Sequence, residues 1–106
     1  MMKDIIKAIE KNKDRLQTIQ KELGKEELLC GLAEESAELS QAASKYARAI
    51  RGKNPTPVTC LECDERLQEE IADALLNVVL VGVDTGEIAE VLYKKINRWC
   101  DRLGVD

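Results

Sequence analysis

Two pairs of acidic residues carry the spacing of a ligand set. Glu35 and Glu38 stand three residues apart, as do Glu70 and Asp73. On a helix that separation puts both members of a pair on one face. With Leu28 at the zero of a helical wheel, Leu32, Leu39, Ala43 and Tyr46 fall within about 60° of one another. Glu35 falls inside this apolar stripe, at about −20°, and Glu38 on its edge, at about −80°. In RLQEEIADALLNVVLVGV (Arg66–Val83) the pattern recurs. With Leu67 at zero, Ile71, Ala74 and Val78 cluster within about 40°, while Glu70, Asp73 and Asn77 lie at about −60°, −120° and −80°. If the two helices pack antiparallel with these faces opposed, four carboxylates converge. Unpaired buried charges are strongly unfavourable, and a surface salt bridge, worth about 0–1 kcal/mol, would not offset them. A divalent cation would, and all-oxygen ligation with some water left on the metal suits Mg²⁺ or Mn²⁺. The spacing leaves a second reading open, in which Glu35 marks a helix boundary and the other acids are solvated.

The elements that must position these acids are all helical by pattern. The first segment runs from about Asp4 to Leu23, with Ile5, Ile9, Leu16, Ile19 and Leu23 on one stripe and Gly24 ending it. The second runs from Lys25 to Arg51. GKNPTPV (Gly52–Val58) is a loop, because two prolines interrupt any helix there. The third runs from Cys60 or Asp64 to Val83, and DTGE (Asp84–Glu87) is a short break with capping residues. The fourth runs from Glu87 to about Leu103. No strand-period segment, internal repeat or low-complexity tract interrupts this order. Four helices with mostly short connections predict an all-α four-helix bundle, a single domain over residues 1–106. After Asp73 the third helix is apolar on nearly every side and needs cover all round. Its surplus face predicts a homodimer or a dimer of dimers, with Leu76, Leu80 and Val83 near a subunit contact.

Composition narrows the classes. The chain has 106 residues, a net charge of −4 and 3% aromatics, with a pI of about 5.0. The acidic balance argues against a nucleic-acid polymer as partner. No apolar run approaches the roughly 20 residues of a membrane span. MMKDIIKAIEKNK is amphipathic from its start and has no signal-peptide core, so the expected location is cytoplasmic. There are four cysteines and no histidines. Cys30 and Cys100 read as buried small hydrophobes. Cys60 and Cys63 form a lone CxxC that lacks further ligands for zinc within one chain, although a partner chain would be able to complete such a site. TCLE (Thr59–Glu62) also fits a capping box at the start of a helix.

The fourth helix repeats the oddity of the others with the opposite charge. With Ile88 at zero, Leu92, Ile96, Trp99 and Leu103 form its stripe, and Lys95 falls inside it at about −20°. Arg98 and Arg102 flank it at about −80° and −40°. Lys95 either snorkels, with its stem packed and its ammonium in water, or pairs with a phosphate oxygen. Arg98 is a weaker candidate for the same role.

EESAE (Glu34–Glu38) followed by EIAD (Glu70–Asp73) resembles the EExxE…ExxD signature of the MazG-like, all-α nucleoside triphosphate pyrophosphohydrolases. The likeness covers roughly Lys25 to Arg102. EEIADALLNVVLV resembles that family's third helix and YKKINRW (Tyr93–Trp99) its basic last helix. The interval between Glu38 and Glu70 is slightly longer than the family pattern, with the excess around the proline loop and the CxxC. The resemblance implies that Glu35, Glu38, Glu70 and Asp73 are metal ligands serving catalysis, with Mg²⁺ as cofactor and Mn²⁺ as a substitute. It implies that Glu34 stands behind these ligands and that Asn77 approaches the nucleotide beside Lys95 and Arg98. The implied reaction is hydrolysis of a nucleoside triphosphate between its α and β phosphates, giving a monophosphate and pyrophosphate. No glycine-rich phosphate loop is present, which fits phosphate binding through metal. The absence of histidine opposes a di-iron bundle. Phosphoribosyl-ATP as substrate and a non-catalytic helical interaction module are the alternatives.

Overall fold

The computed structural model describes residues 2–52 and 57–106. Much of the expected proline loop, residues 53–56, lies outside the described residues. The described residues form four helices and no strand: α1 (Met2–Lys11), α2 (Lys13–Arg51), α3 (Cys60–Val81) and α4 (Thr85–Leu103). A four-helix bundle fits this order, but within one chain the packing is concentrated between α2 and α3.

The expected first helix is divided. It breaks at Asn12, whose Nδ2 donates to the Ala8 carbonyl at 2.8 Å while its Oδ1 accepts from Arg15 Nη1 at 3.1 Å. An asparagine side chain offers the backbone an alternative to the helical ladder, and periodicity does not register that. Gly24 interrupts the helix as expected, but as a kink inside α2 rather than an end, with φ 73° and ψ 166°. That region is essentially open to glycine alone.

Beyond the kink, α2 and α3 form an antiparallel hairpin. Gln20 Nε2 donates to the Leu80 carbonyl at 3.0 Å and Lys25 Nζ to the Val81 carbonyl at 2.9 Å. Both satisfy carbonyls left open at the end of α3, and the Lys25 charge suits the negative end of its dipole. Further along, Gly31 faces Asn77, and the acidic pairs meet one turn later. At the other end of α3, Thr59 Oγ1 accepts from the Glu62 amide at 3.1 Å, the threonine half of the expected capping box. Asp84 caps α4 in the same way, accepting from the Glu87 amide at 3.0 Å.

The core is thin. Among the described residues the buried hydrophobic ones are Leu28, Ala42, Cys63, Ala74 and Leu80, and no large side chain is fully enclosed. Leu80 therefore belongs to the chain's own core and not to the outer face first assigned to it, whereas Leu76 and Val83 are exposed. At that end of α3 the Gln20 side chain reaches the Leu80 carbonyl, so the arm before Gly24 meets the helix there. Leu76 and Val79 line an apolar groove of about 430 Å³ shared with Ile5, Ile9 and Leu16.

Every residue of α4 before Cys100 is exposed, Ile88, Leu92, Ile96 and Trp99 among them, as is Leu103 beyond it. The radius of gyration is 16.9 Å, against about 13 Å for a compact chain of this length. The accessible surface is 8674 Å², against about 5,900 Å² for a folded monomer of this mass.

A methyl group on Gly24 would meet no atom within 4 Å, so any penalty there is conformational. Gly24→Ala is expected to lower stability by about 1–3 kcal/mol, measured by urea denaturation. An unchanged midpoint and slope would show that the arm needs no kink.

Candidate metal centre

Helices α2 and α3 each bring one acidic pair to their shared face. Glu35, Glu38, Glu70 and Asp73 each offer a carboxylate oxygen, and these oxygens all lie within 4.8 Å of one another. Among the described residues this is the one group of three or more acidic, cysteine or histidine side chains gathered closely enough to hold a metal ion. The structure brings together the four acids whose spacing stands out in the sequence.

The four are not equivalent. Glu70 is 2% exposed, Glu35 and Asp73 are half-buried, and Glu38 is open to solvent. Glu70 Oε1 is paired with Arg66 Nη2 at 2.8 Å, one turn earlier on α3, and Arg66 Nη1 also lies 3.8 Å from Glu69 Oε2. Glu70 Oε2 and Glu35 Oε2 are buried with no hydrogen-bond partner. Buried polar oxygens are ordinarily satisfied, and both of these exceptions belong to the one acidic cluster.

Electrostatics points the same way. Burial raises the Glu35 carboxyl above the ordinary value of 4.5, and the charges of Glu38, Asp73 and Glu70 raise it further. Burial also raises Glu70; Arg66 opposes the rise, while Glu38 and Asp73 add to it. Both groups resist ionisation unless positive charge arrives. Hard oxygen donors, two of them orphaned, fit a divalent cation of the Mg²⁺ or Mn²⁺ type.

The remaining expected site residues fall elsewhere. Glu34 is exposed on α2, outside the cluster. Asn77 is half-buried; its Nδ2 donates to the Asp73 carbonyl at 2.8 Å. A Cβ added at Gly31 would stand only 2.6 Å from Asn77 Oδ1. Asn77 therefore occupies the space left by a glycine side chain and fits α2 to α3 next to the acids. Lys95 and Arg98 are exposed on α4, which does not pack along the hairpin.

Sequence reasoning missed two features. Arg66 precedes Glu70 by four residues, a spacing that favours an ion pair, and its partner is the most buried acid. Gly31 sits mid-helix, where glycine is unfavourable by about 1 kcal/mol relative to alanine, a signal of close approach. A groove of about 480 Å³ adjoins the cluster and is lined by Glu38, Gln41, Lys45, Glu62, Cys63 and Arg66, among others. Cys63 is buried while Cys60 is exposed. Cys30, expected to be buried, is exposed; it lies two residues past Leu28, which turns it away from α3. Cys100 is half-buried.

Comparison of the chain with family models, with curated proteins and with solved structures finds no match.

The raised carboxyls set the pH response of the metal-free protein. Between 4.5 and the raised values the folded state binds more protons than the unfolded state, so this contribution to stability falls as pH rises. In chelator, thermal melts should show wild type gaining stability relative to Glu35→Gln as pH is lowered from about 8 to about 5. Near neutrality the glutamine variant should melt no lower than wild type. A constant difference across that range would mean that Glu35 titrates normally.

Proposed function

We propose that this chain is a divalent-cation-dependent nucleoside triphosphate pyrophosphohydrolase of the MazG-like type. The observation that carries the reading is the convergence of Glu35, Glu38, Glu70 and Asp73 between α2 and α3, with the Glu35 and Glu70 Oε2 atoms buried and unpartnered. The EExxE…ExxD spacing supports it from the sequence side.

In this reading the four carboxylates hold Mg²⁺, and Mn²⁺ substitutes for it. Bound metal supplies neutralisation of polyphosphate charge and acidification of water. The residues of the chain do the rest. Glu70 and Asp73 present their oxygens from a helix pinned at both ends, which keeps the set in register. Glu38 is the solvent-exposed member of the set, so we assign it the proton of the attacking water. The water oxygen bonds to the α phosphorus, the bond to the bridging oxygen breaks, and pyrophosphate leaves with that oxygen. Asn77 acts here as a brace between the helices, and its place one turn beyond Asp73 suits the nucleotide contact that the resemblance implies.

The same reading includes self-association. Apolar residues along α4 are exposed, and the chain presents far more surface than a compact monomer of its mass. A homodimer or a dimer of dimers, built on a two-fold self-complementary patch, would cover α4 and the Leu76 groove. Lys95 and Arg98 would then meet substrate only as α4 packs in the assembly. The exposed α4 face also favours a second reading, a helical interaction module without turnover.

A panel of nucleoside triphosphates and phosphoribosyl-ATP, assayed with Mg²⁺, separates these readings. Active substrates should release pyrophosphate, and Glu35→Gln should nearly abolish release. The variant should also gain less thermal stability from Mg²⁺ than wild type, since stabilisation follows RT ln(1 + [L]/Kd). Orthophosphate as the sole inorganic product would reject α–β cleavage, and no turnover of any substrate would favour the module. Light scattering should give a mass at least twice the 11.9 kDa of one chain; a monomer at micromolar concentration would refute self-association.

A further inference from the structure

The groove beside the carboxylates holds two cationic side chains that the metal reading does not use. Lys45 follows Glu38 by seven residues on α2 and so shares its face. Arg66 precedes Glu70 by one turn on α3. Both line the groove, and Glu38 belongs to the groove wall and to the carboxylate set alike. The hairpin interface is therefore ordered along its length. The Gly31–Asn77 contact lies at one end, the acids in the middle, and Lys45 and Arg66 beyond them. The first turn of α3 also contributes to the lining, through Glu62 and Cys63, and a helix N-terminus favours anions. Glu62 is the opposing charge there besides Glu38.

Arg66 has an unusual position. Its guanidinium satisfies one oxygen of the most buried acid and leaves the other orphaned. Its own side chain is 59% exposed, so little packing resists its movement. Once a cation neutralises the acids, the attraction holding Arg66 to Glu70 weakens. A guanidinium released in this way presents a fork of donors matched to phosphate oxygens.

We propose that Arg66 is a stand-in counter-ion for Glu70 in the metal-free protein and that, with metal bound, it turns to the groove and, with Lys45, binds the terminal phosphates of the substrate. The groove is then the seat of the departing pyrophosphate. This inference rests on the metal-dependent reading above.

Isothermal calorimetry with two probes, Mg²⁺ alone and inorganic pyrophosphate in the presence of Mg²⁺, tests it on wild type, Arg66→Gln, Arg66→Lys and Lys45→Gln. Lys7→Gln, on α1, provides the baseline for a lost positive charge. Mg²⁺ alone should bind Arg66→Gln at least as tightly as wild type, because a competing cation has been removed. Pyrophosphate should bind Arg66→Gln and Lys45→Gln about tenfold or more weakly than the baseline, with Arg66→Lys in between. If pyrophosphate binds Arg66→Gln and Lys45→Gln as it binds the baseline while Mg²⁺ binding is normal, the groove is not the anion seat and the metal reading stands. If wild type binds no Mg²⁺, both fall together. Circular dichroism on each variant verifies the fold, and Arg66→Lys tests the fork even if Arg66→Gln is poorly folded.

Discussion

Four carboxyl groups converge where two helices pack, one of them, that of Glu70, almost wholly buried, and the rest of the hairpin answers to that burden. The acids meet in the packing of α2 against α3, whose residues nearby are small: Gly31, Ala42 and Ala74. Small side chains let the backbones come together, and closeness removes water from Glu70 and Glu35. Burial and mutual repulsion then disfavour the ionised state of both. Arg66 compensates one oxygen of one acid. The rest of the deficit is uncompensated within the chain, and a cation placed there would relieve desolvation and repulsion at once.

Such a site needs rigid supports, and α3 has them at both ends. Thr59 closes its first turn, and Gln20 and Lys25 take up carbonyls at its last. The second support depends on Gly24. The kink turns the chain so that the arm before it reaches back over the end of α3.

The apolar surface of this chain is distributed unlike that of a self-sufficient domain. The hairpin buries a handful of small and medium side chains, while α4 keeps Trp99 and its aliphatic neighbours in water. A core of this size supplies little of the burial that offsets conformational entropy. If copies of the chain associate through these faces, stability depends on protein concentration, and the carboxylate site shares in that dependence through the helices that hold it.

Periodicity along the chain was sufficient for four helices, for Gly24 as an interruption, for Thr59 as a cap and for the acidic pairs as faces turned toward a partner. These are local properties, set by side chains within a turn or so of one another. The break at Asn12 is local too, but it rests on one side-chain hydrogen bond that hydrophobic pattern does not report. Other features came only from tertiary structure. The antiparallel register of α2 on α3 made two pairs into one cluster, made Glu70 its most buried acid, and set Gly31 against Asn77. It also left Cys30 outside the hairpin. A helical wheel assigns a direction to each residue but not the element it meets, and long-range packing, in which every contact depends on the register of all the others, makes that choice.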